Sequence, residues 1–177
     1  MEKNSTFVIG LLAVALLVSA MGTLTVVTKT TGLAAGTTNA SVTSTADITL
    51  TTSSVNFGSV AIGIAETTSD GSPAPFVVRN DGSVNIDVTV GSTALWVQEA
   101  STSPYYRVQC RAGTTACGTG SVTSYTTMPI GSATKIIGTL GFTDGSDDNK
   151  VDIEITAPNR ESQGAKSATV TFTASAT

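Results

Sequence analysis

Histidine is missing from all 177 residues. That removes the commonest general base and the commonest metal ligand together. A Ser-His-Asp or Cys-His catalytic site is impossible here. Ser-Lys or carboxylate chemistry has no pattern in its favour, and an exported hydrolase working through carboxylates stays a minor reading. Charge is scarce as well. Only 12% of residues are Asp, Glu, Lys or Arg and the formal net charge is −4, unlike a nucleic-acid binder, which needs clustered cations to displace counterions. Self-repelling disorder is equally out of place at 40% hydrophobic content. Cysteine occurs twice, as Cys110 and Cys117. No third Cys and no His exists to complete a metal site with them. A close, even pair in an exported β protein reads as a disulfide, the alternative being two free buried thiols. Neither a cofactor nor a small-molecule substrate is expected.

What the sequence has is a long apolar run at its start. Between Ser5 and Thr28 there is no charged residue. As a helix, Phe7 to Val27 would span about 30 Å, the thickness of a bilayer core. Three readings compete. Val18-Ser-Ala20 fits a signal-peptidase site, and cleavage there would leave a chain starting at Met21. A retained segment would be a single membrane anchor over residues 5–28. Alternatively, it would be the packing helix of a self-assembled filament, with Phe7, Leu11, Val14, Val18 and Met21 as its assembly residues. The small residues Gly10, Ala13, Ala15, Ser19, Ala20 and Gly22 permit close helix approach in either setting.

Residues 29–45 are small and polar and read as a linker. Within it, Asn39-Ala-Ser41 is a glycosylation sequon, which makes Asn39 the candidate acceptor. From residue 46 to 177 the pattern is strand after strand, rich in β-branched Thr and Val with Gly and Ser at turns. Strands are expected at 47–50, 55–60, 76–79, 84–90, 95–97, 105–110, 151–155 and 168–174, with weaker ones at 122–125 and 135–142. The clearest is Val84 to Val90, where Val84, Ile86, Val88 and Val90 alternate onto one face. Gly58 inside its strand reads as a bulge, and Asn80-Asp-Gly82 as a tight turn. Turn spacing and alternation together predict an all-β antiparallel sandwich.

Two stretches carry a resemblance. Val55-Asn-Phe-Gly-Ser-Val-Ala-Ile-Gly63, followed by Phe76-Val-Val-Arg-Asn-Asp-Gly-Ser-Val-Asn-Ile-Asp-Val88, resembles the opening of Ig-like sandwiches of the ASPM/SPD-2/Hydin type. Gly164 to Ala174 resembles the closing strand of many extracellular Ig-like domains. An apolar helix ahead of a Thr-rich sandwich is also similar in outline to archaeal surface proteins, pilins and archaellins. In one respect the chain departs from the prepilin pattern: Lys3-Asn4 precedes the apolar run without the usual Gly. The resemblance implies an Ig-like fold over 46–177 preceded by one N-terminal apolar α-helix over 1–28, and says little about activity.

Three candidate features remain. Asp144, Asp147 and Asp148 form the densest acidic cluster and offer oxygens for calcium, but a solvated turn is the favoured reading. Trp96, Tyr105, Tyr106 and Tyr125 could form a binding patch; Trp96 is expected in the core, and one of the adjacent tyrosines should face out. Residues 41–51 would be the natural strand to donate to a neighbour. The overall expectation is a non-enzymatic, extracellular or cell-surface structural protein that polymerises with its own copies. The alternative is a monomeric membrane-anchored adhesion or binding domain.

Overall fold

A computed structural model describes residues 43–97 and 104–177 of the chain. The expected apolar helix, its residues Phe7, Leu11, Val14, Val18 and Met21, most of the 29–45 linker and the Asn39 sequon lie outside the described residues. The compact unit runs from Thr43 to Thr177. It begins slightly ahead of residue 46 because Ser83 N donates to Thr45 O (2.9 Å) and Ser83 Oγ to Thr43 O (3.2 Å).

The described residues form nine strands and no helix. In chain order these are β1 (Ile48–Thr52), β2 (Ala65–Thr67), β3 (Phe76–Asn80), β4 (Ile86–Ser92), β5 (Tyr106–Ala112), β6 (Thr126–Thr127), β7 (Thr134–Leu140), β8 (Asp148–Thr156) and β9 (Val170–Ala176). One sheet has the order β1-β3-β8-β5-β6, with β2 also paired to β8; the other has the order β7-β4-β9. All pairings between named strands are antiparallel.

Period-2 alternation explains the core. Ile86, Val88 and Val90 of β4 are essentially fully buried, as are Val78 of β3, Val108 of β5 and Val151 of β8. Side chains at alternate positions share a face, so both sheets turn an apolar face into one cluster and the architecture is sandwich-like. Phe76 of β3 meets Phe172 of β9 edge-on at 5.5 Å, which joins the two layers. Burying one such Ile or Phe contributes about 2 kcal/mol.

The two sides of the sandwich differ. On one, the segment after the disulfide loop bridges the sheets. Cys110 N in β5 donates to Val122 O (2.6 Å), and Val122 N donates to Ile136 O in β7 (3.1 Å). Gly138 N also donates to Ser121 Oγ (2.8 Å). A Cβ on Gly138 would come within 2.1 Å of Thr119 O, and one on Gly118 within 2.0 Å of Gly138 O, so only glycine permits this contact. On the opposite side, β1 and β9 end the two sheets, and neither has a second strand partner among the described residues.

Several expected strands are corrected. Residues 55–60 form no strand. Asn56 Oδ1 accepts from Gly58 N (2.9 Å), and Gly58 sits at φ 65, so the backbone turns instead of pairing. Gly58 is therefore a turn residue and not a strand bulge. Val55, Phe57 and Val60 still pack on the core, which is why their alternation looked strand-like. Residues 95–97 are likewise irregular, and in place of the weak strand at 122–125 the two-residue β6 follows directly at Thr126–Thr127. Asn80-Asp-Gly82 does turn the chain, but from one sheet to the other. Asn80 is buried there, donating to Val84 O (2.9 Å) and Leu140 O (3.1 Å) while its Oδ1 accepts from Gly82 N (3.0 Å).

Candidate functional site

The densest polar chemistry lies on the outer face of the larger sheet, away from the core. Alternation on β5 puts Arg107, Gln109 and Arg111 there, opposite Glu154, Asp152 and Lys150 of β8. Asp152 is fully buried because the turn after β2 folds over it. Thr68 N donates to Ile153 O (3.0 Å) and Ile153 N to Thr68 Oγ1 (3.0 Å), which pins that turn to the strand.

The Asp152 carboxylate is saturated. Oδ2 accepts from Arg111 Nε (2.6 Å) and Gln109 Nε2 (3.4 Å). Oδ1 accepts from Arg111 Nη2 (2.9 Å) and Thr68 Oγ1 (3.1 Å). The hydrogen bond to Asp152 holds the Arg111 guanidinium pKa above its ordinary value. Nearby, Glu154 Oε1 accepts from Arg107 Nε (2.6 Å) and Nη2. The Arg107 guanidinium lies 5.6 Å from the centroid of the Tyr125 ring. Burial pushes the Tyr125 hydroxyl pKa up, and that hydroxyl shares a hydrogen bond with Thr67.

A carboxylate serves as a base or metal ligand only through free lone pairs. Those of Asp152 are taken by internal donors, so this cluster's evident work is to hold the β2–β3 turn and Tyr125 against the sheet. Sequence reading missed it because Arg111 and Asp152 are 41 residues apart. The available signal was alternating charge on two strands, Arg107/Arg111 against Asp152/Glu154.

The acidic loop between β7 and β8 behaves differently from a freely solvated turn. Asp147 is buried and accepts from Arg79 Nε (2.9 Å), and its backbone carbonyl accepts from Asn80 N (2.8 Å). Asp148 Oδ1 instead accepts from Thr114 N (2.9 Å). Asp144 is exposed, at 3.4 Å from Arg79 Nη2. Asp144 and Asp147 thus share Arg79 while Asp148 binds Thr114, and no group of three potential ligand side chains converges among the described residues.

The remaining candidates separate in space. Cys110 and Cys117 form a disulfide with Cα atoms 6.3 Å apart. Trp96 is in the core as expected, with Nε1 donating to Tyr105 O (3.1 Å). Tyr106 points inward and shares a hydrogen bond with Ser92 Oγ (3.2 Å), while Tyr105 precedes the strand and is half-buried. The four aromatics therefore make no single patch. Residues 48–52 pair with β3 of their own chain. Comparison with known proteins finds no matching family model, no similar curated protein and no similar solved structure.

Proposed function

We propose that this protein is a non-enzymatic structural subunit of an extracellular, pilus-like filament or surface layer of archaeal type, assembled from copies of itself. The observation that carries the reading is the uncharged run from Ser5 to Thr28, which precedes an all-β domain in the chain with the small, polar stretch 29–45 between them. An apolar segment of that length suits lipid before assembly and the flanks of neighbouring copies afterwards, with small residues allowing close approach. The domain is read as Ig-like from the stretches 55–63 and 76–88, whose second part carries β3, the crossing turn and the start of β4.

Other features support the same reading. The absence of histidine and the internal capture of Asp152, Glu154 and Asp147 by arginines leave little for catalysis. A disulfide belongs to an oxidising, extracytoplasmic setting. Electron microscopy of native material is the test. Filaments or ordered sheets are the expected outcome, and dispersed single particles in detergent would overturn it. A mature chain shown by intact mass to begin at Met21 would remove the apolar segment from the assembly.

A second reading, a monomeric membrane-anchored adhesion or binding domain, draws on the match between that segment and bilayer thickness and on the exposed Ile62 and Ile64. It predicts single particles that stay bound to membranes.

A further inference from the structure

The edges of a β-sheet offer unpaired backbone groups to any other strand, and folded proteins normally blunt them. Most edges here carry such a device. β1 has a register shift between Leu50 and Thr52, which bends an edge. β6 is two residues long and β2 three. β7 is irregular against β4, carries Lys135 and is strapped by Val122. β9 has none of these. Its pairing with β4 is unbroken over seven residues, and no charged residue or proline occurs from Ser167 to Thr177.

Its free backbone groups follow from the ladder. Thr93 N donates to Thr169 O, and Thr177 N to Asn85 O, both in the same register as the β4–β9 pairs. Hydrogen-bonded pairs alternate in an antiparallel ladder, so the odd-numbered residues of β9 bond to β4. The N–H and C=O groups of Val170, Phe172, Ala174 and Ala176 therefore point to the open edge. Their side chains are on the inner face with Ile86, Val88 and Val90, and only half-covered apart from the exposed Ala176.

We infer that β9 is a self-pairing edge that joins two copies of this chain antiparallel about a two-fold axis at Thr173. In that register Val170 faces Ala176 and Phe172 faces Ala174, each as a hydrogen-bonded pair, while Thr173 faces its own counterpart. Every free group of the edge is then used, about eight new hydrogen bonds form, and two three-stranded sheets become one continuous sheet. The occupant is a second copy because the edge is matched to itself. No charge opposes a charge, and the outer row of Thr171, Thr173 and Ser175 meets the same row reversed, a favoured cross-strand arrangement. An edge contact alone is small, so the pairing deepens the self-assembly reading above and rests on it for the local concentration of copies.

The test is disulfide trapping in the full chain under mild oxidation, with both native cysteines already bonded to each other. Across the axis, two copies of residue 173 form a non-hydrogen-bonded pair with Cα atoms about 4.5 Å apart, within disulfide range. Two copies of residue 171 are offset by four positions, about 13 Å along the strand. T173C is expected to shift to twice the chain mass on a non-reducing gel, while T171C, on the same exposed row, stays at one chain mass. Adding Thr171→Lys to T173C is expected to abolish the shift by placing an unmatched charge at the edge. Absence of the T173C dimer, or equal trapping of T171C as in a parallel pairing or random collision, overturns the inference. Capture of T173C by a different protein or by residues 1–42 of its own chain overturns it too. Filaments without trapping would sink the edge pairing and leave the assembly reading standing; trapped dimers without filaments would do the reverse.

Discussion

Asp152 shows how a single buried charge constrains this domain. It has no exposure and accepts hydrogen bonds from Thr68, Gln109 and Arg111. Replacing it with alanine strands the guanidinium, and removing one partner of a buried pair costs about 3–5 kcal/mol. The Arg111 side chain is 32% exposed and can still reach water, so D152A is expected to lose about 2 kcal/mol, read as a lowered urea midpoint. The double variant D152A/R111A should recover part of that loss. Asp87 supplies a pH effect. Its hydrogen bond to Lys135, helped by Thr139 N, holds its carboxyl pKa below the ordinary 3.8. A depressed carboxylate pKa stabilises the fold above the unfolded value, and that contribution is lost as pH falls through the lower folded value. Stability should therefore decline below about pH 4, and Asp87→Asn should flatten that decline. An NMR titration placing the Asp87 midpoint at or above 3.8 would contradict this. At this scale the sequence showed residue types but not partners. Asn80 looked like a turn residue alone, whereas its buried amide joins Val84 and Leu140 across 60 positions of chain.

Among the elements, the strap from Cys117 to Thr127 matters most to the closed side of the sandwich. The disulfide closes a short loop, and removing that constraint from the unfolded chain is worth about 2.5 kcal/mol. The C110A/C117A variant should show that loss in its denaturation midpoint. Amide exchange should quicken first at Val122 and Gly138, whose N–H groups bind Ile136 and Ser121. G138A tests the same contact from the other strand. Its Cβ would come within 2.1 Å of a backbone carbonyl, so an overpacking penalty of about 1–3 kcal/mol is expected. A G138A protein as stable as the parent would mean the strap does not rest on β7. Legibility varied between elements for one reason. Strands that place an alternating face into the core, such as β4, β5 and β8, announced themselves. Residues 55–60 alternate in the same way and pack on the core without pairing, because alternation reports burial and not hydrogen bonding.

For the whole molecule, low charge makes a prediction about assembly. With 12% charged residues and most visible carboxylates already paired within the chain, few charges remain for contacts between copies. The proposed filaments should therefore persist when salt rises to about 1 M, where the screening length falls to about 3 Å. Sedimentation across a salt series checks this, and dissolution at high salt would point to ionic contacts instead. The sequence alone determined that the domain is all-β, that its two cysteines lie close together in the chain, that no histidine-based chemistry is available, and that an uncharged run precedes the domain. Composition, alternation and nearby spacing carry those properties locally. Only the tertiary structure decided that Asn80-Asp-Gly82 crosses between sheets, that Arg111 captures Asp152, that one side of the sandwich is strapped, and that β9 has no second strand partner among the described residues. Each of these depends on which strands lie beside one another, and strand order is set by packing between residues far apart in the chain.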